Sequence, residues 1–496
     1  YHRRDLYPSP HPSTPTMATS SYGTSRIRKR DANSREIWGG GGRTKSRKWA
    51  VYGSLFTASI LVISAATAYA YGVGFPHKGE RGMTTLEGSQ GVLSEKQMPM
   101  KLRWGIAGLG RIAHEFAVAI VVSGMPITAV AAGALPHRKR RSKFFGSQFN
   151  LPPNCTYDNY LDLAKDPNVD IVYVATTNQL HRNVSMLMMK YGKHVLVEKP
   201  TAMNFGEAKE MVEYAKKQKV FFATNFWNAA FPAVRFARQA VRTGQIGDIV
   251  EITGDMGFQV VPNHNDRWLS AKLGGGSIMD MACYLFQFLV MFGDEKLEEP
   301  YAKFRKSSEV SGGISRDIGN YMESDEKYLG LNDVSILAVV GKNDPTTGVD
   351  VDADFLLEYK GIKGRFGSSL SRASPFTVDI LGSQGAISIG SPANCPTTAT
   401  LTAFQDARRT TFLPFPCCQQ PLVAQRVFSE GLPVYPRQFY PQQYPRGTGF
   451  AYIIRAVAEC LMDEGCLELP DVPHKTTLRV QAVVDQTRKR LNSSFG

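Results

Sequence analysis

The feature that most constrains this chain is a glycine-rich turn that follows a short apolar strand. Residues 102–113 read Leu-Arg-Trp-Gly-Ile-Ala-Gly-Leu-Gly-Arg-Ile-Ala, so the strand leads into Gly108-x-Gly110-x-x-Ala113. Such a turn lets the backbone approach a pyrophosphate and presents it to a helix N-terminus. Alone it is a weak indication of a nucleotide site. A second motif, Val-Glu-Lys-Pro at 197–200, places Lys199 after a later strand, where α/β sheets bind their ligands, and the pair indicates a dinucleotide-binding fold.

The pattern that follows the turn predicts a doubly wound Rossmann domain over residues 101–225. Short, continuous apolar runs lie at 127–132, 169–175, 194–197 and 220–224, as expected of parallel strands that are buried on both faces. Between two of them, Asn204 and Glu207 have the spacing of a helix cap before an apolar helical face.

Several residues of this domain are predicted to contact a nicotinamide cofactor. The second strand ends at Gly133 without the carboxylate that holds an NAD ribose, and a basic run follows, so the sequence favours NADP, with NAD as an alternative. A solvated basic helix start is the alternative interpretation of this run. His181 is expected to position the cofactor side of the site rather than to act as a catalyst. The predicted cofactor-binding residues are Gly108, Leu109, Gly110, Arg111, Ile112, Arg138, Lys139, Thr176, Asn178, His181, Glu198 and Lys199.

With these blocks in place, residues 101–496 resemble the glucose-fructose oxidoreductase and inositol dehydrogenase family, and within it the branch of dihydrodiol dehydrogenases and NADP-dependent D-xylose dehydrogenases. Further blocks that carry the resemblance are Ala-Thr-Thr-Asn-x-x-His (175–181), Asn-Phe-Trp (225–227), Gly-Gly-Gly-Ser-Ile-Met-Asp-Met-Ala-Cys-Tyr (274–284), Gly-x-x-Gly-Ala-Ile-x-Ile (382–389) with Cys-Pro-Thr after it, and Gly-Phe-Ala-Tyr (449–452).

The resemblance implies a C-terminal α+β domain, over residues 226–496, with a large open sheet that covers the nicotinamide and mediates homodimerisation. The sequence agrees independently, because the runs at 334–340, 353–359, 364–370, 376–381 and 386–389 are rich in β-forming residues and separated by turn residues. A mainly antiparallel sheet is therefore expected. The segments 298–331 and 406–446 are long polar or Pro-rich insertions, for which exposed loops are the default interpretation.

Asp280, Tyr284 and Lys199 are the catalytic residues that the resemblance implies, whereas the helix pattern alone favours Tyr284 as a core aromatic between Cys283 and Leu285. Oxidation of a secondary alcohol needs a base beside the nicotinamide, and the i,i+4 spacing of Asp280 and Tyr284 puts both on one face of a helix. A nearby Lys199 ammonium is expected to lower the pKa of the Tyr284 phenol. The family usually has His at this position, and Tyr is typical of the dihydrodiol dehydrogenase branch. Asp280 is expected to orient the substrate hydroxyl, and Trp227 either lines the substrate pocket or packs in the core.

These residues predict an NADP-dependent oxidoreductase that acts on a sugar or a cyclic diol. Another oxidoreductase activity of the same family is one alternative, and a noncatalytic NADP-binding membrane protein is another. The intact set of lysine, aspartate and tyrosine argues against the noncatalytic alternative. No folded basic stripe with interleaved aromatics is found, so a nucleic-acid partner is not expected. The seven cysteines show no CxxC or metal-ligand spacing, and reduced structural thiols are predicted, with no metal site.

An uncharged segment over residues 49–76 is long enough to cross a bilayer as one helix. It separates a basic tail (1–48) from a linker (77–100), both expected to be disordered. Four cations lie between 43 and 48, and the positive-inside rule therefore predicts a cytosolic N-terminus and an enzyme domain on the far side. A cleaved signal, an organelle-targeting presequence and a buried core helix are the alternatives. Sequons at Asn154, Asn183 and Asn492 provide a test of this topology.

Overall fold

The computed structural model describes residues 84–87, 101–133, 138–261, 266–295, 334–404, 422–439, 446–463 and 465–493. The predicted membrane segment 49–76, the tail, most of the linker, the insertion 298–331 and much of 406–446 lie outside these residues, as do the side chains of Arg138 and Lys139.

The strands divide into two sheets. Their bounds are β1 Thr84–Glu87, β2 Trp104–Ala107, β3 Ile127–Ala131, β4 Thr156–Tyr157, β5 Ile171–Val174, β6 His194–Val197, β7 Phe222–Thr224, β8 Ile249–Gly257, β9 Val334–Asn343, β10 Asp350–Tyr359, β11 Ile362–Ser369, β12 Thr377–Gly382, β13 Gly385–Ile389, β14 Thr398–Phe404 and β15 Leu422–Ser429.

The first sheet is parallel throughout and has the order β4-β3-β2-β5-β6-β7. Its strands contain the four apolar runs that the sequence predicts, and the middle strands β2 and β5 are completely buried. The helices that connect its strands are α1 Arg111–Val122, α2 Arg138–Gln148, α3 Tyr160–Lys165, α4 His181–Lys190 and α5 Phe205–Gln218. The predicted cap of α5 is confirmed, since the Asn204 side chain accepts a hydrogen bond from the Glu207 amide at 3.0 Å.

The second sheet has nine strands in the order β1-β15-β14-β13-β12-β8-β11-β10-β9. The pairs β8–β11 and β1–β15 are parallel and the other pairs are antiparallel, so the expected mainly antiparallel sheet is confirmed. Three further helices pack with it, α6 Pro232–Arg242, α7 Cys283–Gly293 and α9 His474–Arg490, whereas α8 Phe450–Leu461 packs against α1 of the Rossmann domain.

The helical stretch Ala271–Gly293 joins the two sheets in the core. It ends in α7, whose residues from Cys283 to Phe292 are buried, because an apolar surface on every side must be covered by protein in a folded domain. Directly before α7, Ile278–Ala282 forms a π-helical turn. Among the described helices, this stretch is the one long and apolar enough to cross a membrane, and nearly all of it is buried within the domain.

The cysteine prediction is wrong for one pair. Cys460, in the last turn of α8, forms a disulfide with Cys466. No motif spacing signals this pair, because the loop that brings the two sulfur atoms together is created by the end of the helix. Cys155, Cys283 and Cys395 are free thiols, as predicted.

Candidate active site

The glycine turn between β2 and α1 forms an open cradle at the carboxyl edge of the parallel sheet. Gly108 has φ +89°, and a Cβ added there would lie 2.6 Å from the Ala175 carbonyl oxygen, so the turn requires glycine. Gly110 precedes α1, and a Cβ added to it would meet no atom within 4 Å. Within the described residues Gly110 provides no side-chain cap at this helix N-terminus, so its first amide groups are available to a pyrophosphate. The residues present therefore fit a dinucleotide.

The predicted neighbours of the turn divide into core and surface residues. Leu109 is buried, Ile112 packs against the core, and the Arg111 side chain is exposed at the start of α1. Gly133, with φ +85°, follows β3. Farther along, Arg140 and Arg141 are exposed on the first turn of α2, where the cations expected to bind a 2'-phosphate lie.

The segment after β5 contributes two predicted polar residues. The Thr176 hydroxyl is buried and has no hydrogen-bond partner within the described part of the chain. An unpaired buried hydroxyl is costly unless a ligand supplies its partner, so Thr176 fits a cofactor contact. The Asn178 side chain instead donates to the Gly274 carbonyl at 2.8 Å, which joins the Rossmann domain to the glycine triplet before the π-helical turn.

The His181 side chain, at the start of α4, contacts two backbone carbonyl oxygens around the site. Its Nδ1 lies 2.8 Å from the Pro200 carbonyl oxygen and its Nε2 lies 3.3 Å from the Thr176 carbonyl oxygen. Burial lowers the pKa of His181 to about 4, against the opposing effect of these contacts. The imidazole is therefore neutral near pH 7, and its single N–H can donate to only one of these two carbonyl oxygens in either tautomer.

Glu198 forms a buried network below Lys199. Its Oε1 accepts hydrogen bonds from the Tyr173 hydroxyl and, at 2.6 Å, from the Asn225 side chain. Its Oε2 accepts from the Lys199 amide at 3.2 Å. Burial raises the pKa of the Glu198 carboxyl, although these hydrogen bonds and the Lys199 charge act in the opposite direction. The network fixes the backbone from which the Lys199 side chain extends.

Lys199 and Asp280 meet although 81 residues separate them. The Lys199 ammonium donates to the Asp280 carbonyl at 2.5 Å and lies 3.2 Å from Oδ1 of its carboxylate. Arg267 reaches the same Oδ1 at 3.3 Å and lies over the Trp268 ring. Burial alone would raise the pKa of Asp280, but the charges and hydrogen bonds of Lys199 and Arg267 outweigh it and lower that pKa. Asp280 is therefore ionised at neutral pH.

Tyr284 lies beside this ion pair, and its hydroxyl is hydrogen-bonded to Trp227. The Lys199 Nζ is 5.1 Å from the centroid of the Tyr284 ring. The Trp227 indole N–H donates to the Tyr284 hydroxyl at 2.9 Å. Tyr284 is 5% exposed and Asp280 is 8% exposed, so each retains only a small accessible surface. A cation and a hydrogen-bond donor both favour the phenolate form that a base requires.

Three features of the site could not be assigned from the sequence. Trp227 does more than line a pocket, since its N–H bonds to the predicted base. Arg267 supplies the second cation on Asp280, and its only sequence signal is a charge shortly before the glycine triplet. Tyr173 lies within the buried strand β5, where nothing marks it as the partner of Glu198.

Comparison with known families identifies the two folded parts of the chain. Residues 102–226 match the family model described as "Oxidoreductase family, NAD-binding Rossmann fold", and residues 234–388 match the "GFO/IDH/MocA C-terminal domain". This chain belongs to the GFO/IDH/MocA oxidoreductase family. The predicted resemblance is confirmed, and the chain is a nicotinamide-dependent oxidoreductase of the dehydrogenase type.

Curated relatives include trans-1,2-dihydrobenzene-1,2-diol dehydrogenases. The mouse protein is 30% identical over 403 residues, which cover 80% of this chain and 98% of the relative. The human protein is 27% identical over 401 residues, with the same coverage. Solved structures of similar fold include a 3-ketoreductase from Actinomadura kijaniata in complex with NADP and TDP-benzene (TM-score 0.55, 20% identity, 79% of this chain and 98% of that chain). A levoglucosan dehydrogenase in complex with NADH and levoglucosan has a TM-score of 0.58 at 16% identity, with 79% and 97% covered.

Proposed function

We propose that this chain is an NADP-dependent dehydrogenase that oxidises a secondary alcohol or hemiacetal of a sugar or a cyclic diol. The observation that carries the proposal is the convergence of Lys199, Asp280 and Tyr284 at the carboxyl edge of the Rossmann sheet, with the Lys199 Nζ 5.1 Å from the Tyr284 ring centroid and 3.2 Å from the Asp280 carboxylate. This edge is where such sheets bind the reactive end of a dinucleotide.

Each residue has a distinct part in the reaction. Bound NADP supplies the acceptor for the hydride that leaves the alcohol carbon. Tyr284 accepts the proton of the alcohol hydroxyl on its phenolate oxygen, and the loss of this proton together with the hydride converts the alcohol to a carbonyl. Lys199 and the Trp227 N–H stabilise the negative charge on that oxygen before the transfer. Asp280, held ionised between Lys199 and Arg267, accepts a hydrogen bond from the substrate and orients it.

The names of similar proteins support the substrate class. The curated relatives are named as dehydrogenases of a cyclic diol, and one protein of similar fold is complexed with the sugar derivative levoglucosan. At the site, the Asp280 carboxylate and the partly exposed Arg267 guanidinium can hydrogen-bond the hydroxyls of such a substrate.

A substrate screen tests the proposal. The purified chain is assayed with pentoses, hexoses and cyclic trans-diols, each with NADP and NAD, and the reduced nicotinamide is read by absorbance. We expect NADP-dependent turnover of at least one secondary alcohol and a loss of about 10²- to 10⁴-fold in a Lys199→Met variant. Absence of turnover in the wild type, or equal turnover in the variant, would reject the proposed chemistry.

The preference for NADP over NAD is proposed from the cations after β3. Arg140 and Arg141 are exposed on the first turn of α2, and Arg138 and Lys139 precede them in the sequence. We expect a double substitution of Arg138 and Lys139 by Ala to weaken NADP binding much more than NAD binding. Lys190→Ala, an exposed cation at the end of α4, is the control. Equal losses for the two cofactors would contradict the 2'-phosphate role.

We propose further that residues 49–76 anchor the chain in a membrane, with residues 101–496 on the noncytosolic side. The cations before this segment support that topology. The Cys460–Cys466 disulfide supports it independently, because disulfides persist in oxidising compartments. Carbonate extraction tests the anchor. For the side, we expect a glycosidase-sensitive form that the combined replacement of Asn154, Asn183 and Asn492 by Gln abolishes, and a membrane-bound chain without glycan would count against the noncytosolic placement.

A homodimer through the second sheet is also proposed. The face of this sheet that carries Val340 and Leu381 leaves these side chains 69% and 40% exposed. Exposed apolar side chains on a large sheet favour association with a second apolar surface. Light scattering of the wild type and of Val340→Glu tests the proposal, and a monomeric wild type would contradict it.

A further inference from the structure

The π-helical turn that carries Asp280 is held at its beginning by another carboxylate, that of Asp350 at the start of β10. Oδ2 of Asp350 accepts a hydrogen bond from the Ile278 amide at 2.7 Å and from the Ser277 hydroxyl at 3.0 Å. The Asp350 side chain is completely buried. It therefore caps the turn from a distant strand, as an N-cap residue caps a helix from within the chain.

The same carboxylate is bound from its other side by the segment that follows α9. The Ser493 hydroxyl donates to Oδ1 of Asp350 at 2.7 Å and accepts from the Asp350 amide at 3.1 Å. Asn343 fixes the segment as well, since its side chain donates to the Leu491 carbonyl at 3.2 Å and to the Asn492 carbonyl at 3.1 Å. Residues 491–493 thus connect β9 and β10 with the π-helical turn.

The Asp350 carboxylate lies close to the backbone of Gly276. The φ of this glycine is +117°, and a Cβ added there would lie 2.5 Å from Oδ1 of Asp350. The Gly276 carbonyl accepts the hydrogen bond of the Asp280 amide at 3.1 Å. The residue that makes room for the Asp350 carboxylate therefore also holds the backbone of Asp280.

Burial of a carboxylate destabilises the folded protein, so a carboxylate in the core requires hydrogen bonds or charges that offset this cost. Burial raises the pKa of Asp350, while its hydrogen bonds and the nearby charge of the buried Arg488 oppose that shift. A π-helical turn takes more residues per turn than an α-helical one, so the turn sets the angle about the helix axis between Asp280 and Tyr284. If the cap were lost, the turn would be free to relax towards α-helical geometry and rotate one side chain relative to the other.

We infer that Asp350, held by Ser493, is a positioning residue for the reaction, because it fixes the π-helical turn that directs Asp280 and Tyr284 towards Lys199. This inference rests on the proposed function, and it adds two residues that lie outside every motif of the dinucleotide-binding pattern. Asp350 does not touch the reacting atoms, and it acts through Ile278 and Ser277.

The experiment compares Asp350→Ala, Asp350→Asn, Ser493→Ala and Ser493→Thr with the wild type. Asp294→Ala is the matched control, because Asp294 is a largely buried carboxylate just beyond the other end of α7, bonded to the Tyr359 hydroxyl at 2.7 Å and to Arg479 at 2.7 Å. Turnover is expressed per NADPH-binding site, counted by fluorescence titration, so that unfolded protein does not enter the rate. Hydrogen exchange of the peptide spanning 276–286 is measured on the same samples.

We expect Asp350→Ala to lower kcat per site by about 10²-fold, as small displacements of catalytic groups do, with KM and the NADPH Kd within about threefold of the wild type. Ser493→Ala is expected to lose about tenfold, and exchange in 276–286 should accelerate in both. Ser493→Thr keeps the hydroxyl, and Asp350→Asn keeps one side-chain oxygen as an acceptor and has an amide donor in place of the other. Both variants should therefore retain most of the wild-type rate. Asp294→Ala should lower thermal stability but keep kcat per site within about twofold.

Unchanged kcat per site in Asp350→Ala and Ser493→Ala, together with unchanged exchange in 276–286, would overturn the inference, as would an equal loss in Asp294→Ala. If Asp350→Ala does not fold, Ser493→Ala decides by the same criteria. A wild type without turnover on any substrate would reject the proposed function and this inference with it. Asp350→Ala and Ser493→Ala variants that turn over as fast as an active wild type would reject this inference alone.

Discussion

Replacing Trp227 with Phe tests how the site stabilises the Tyr284 phenolate. The Trp227 N–H donates to the Tyr284 hydroxyl at 2.9 Å. The indole also stacks on Phe450, with ring centroids 3.9 Å apart, and meets Phe231 edge-on at 5.2 Å. Phe keeps an aromatic ring in both contacts and removes only the donor and part of the ring volume.

The expected magnitude follows from the charge on the acceptor. A hydrogen bond to a charged group contributes about 1.5 to 3 kcal/mol, and about 1.4 kcal/mol corresponds to a tenfold change in an equilibrium. Without the donor, the phenolate of Tyr284 is harder to form, so the pH midpoint of the kcat profile should move up by about one to two pH units. At pH 7, kcat for alcohol oxidation should fall by about 10- to 100-fold and recover at higher pH.

The assay is kcat against pH at saturating substrate and NADP. Trp104→Phe is the matched control, because Trp104 is also fully buried and its indole N–H bonds to the Met125 sulfur at 3.3 Å, in the Rossmann sheet away from Tyr284. The control should share any loss of stability but not the shift of the midpoint. A Trp227→Phe profile with a lower plateau and the wild-type midpoint would refute the electrostatic reasoning and leave only packing.

Three further predictions concern the cofactor turn, the buried histidine and the second cation. Gly108→Ala should destabilise the protein without ligand, because the added Cβ would lie 2.6 Å from a backbone atom. Gly110→Ala has open space around it, so it should keep the melting temperature and lose NADP affinity. Equal melting temperatures for the two variants would contradict this account of the turn. Burial lowers the pKa of His181 to about 4, so the unfolded chain binds a proton before the folded chain does as the pH falls below 6.5. The wild type should therefore lose up to about 3 kcal/mol of unfolding free energy between pH 6.5 and 4. Denaturant titrations of His181→Asn should lack that part of the loss, and the same dependence of unfolding free energy on pH in the two proteins would reject the prediction. Arg267→Gln removes a partly exposed partner of Asp280, so kcat/KM should fall by only about two- to tenfold, and a loss as large as that of a Tyr284 variant would show a catalytic role.

The sequence predicts those elements whose structure depends on neighbouring residues in the chain. The parallel strands of the first sheet are buried on both faces, and their apolar runs predict them to within a few residues. The Asn204 cap acts within its own helix and is readable for the same reason. Lys199 and Tyr284 were predictable as partners through the family resemblance, and the structure brings the ammonium to 5.1 Å from the ring.

The rest depends on contacts between distant segments. The i,i+4 spacing of Asp280 and Tyr284 predicts an α-helix, but the cap from Asp350 accompanies a π-helical turn at Ile278–Ala282. No periodicity in the sequence indicates that a carboxylate some 70 residues later will supply the cap. The Cys460–Cys466 pair is similar, because its geometry arises only when α8 ends between the two residues.

The most direct test of the central claim is a Tyr284→Phe variant, which removes one hydroxyl and keeps the ring beside Lys199. Turnover of the best substrate and NADPH affinity are measured on the same preparation. The account predicts a fall in kcat of about 10²- to 10⁴-fold with the NADPH Kd within about twofold of the wild type. Retained turnover would show that the proton leaves by another group and would contradict the assignment of Tyr284 as the base.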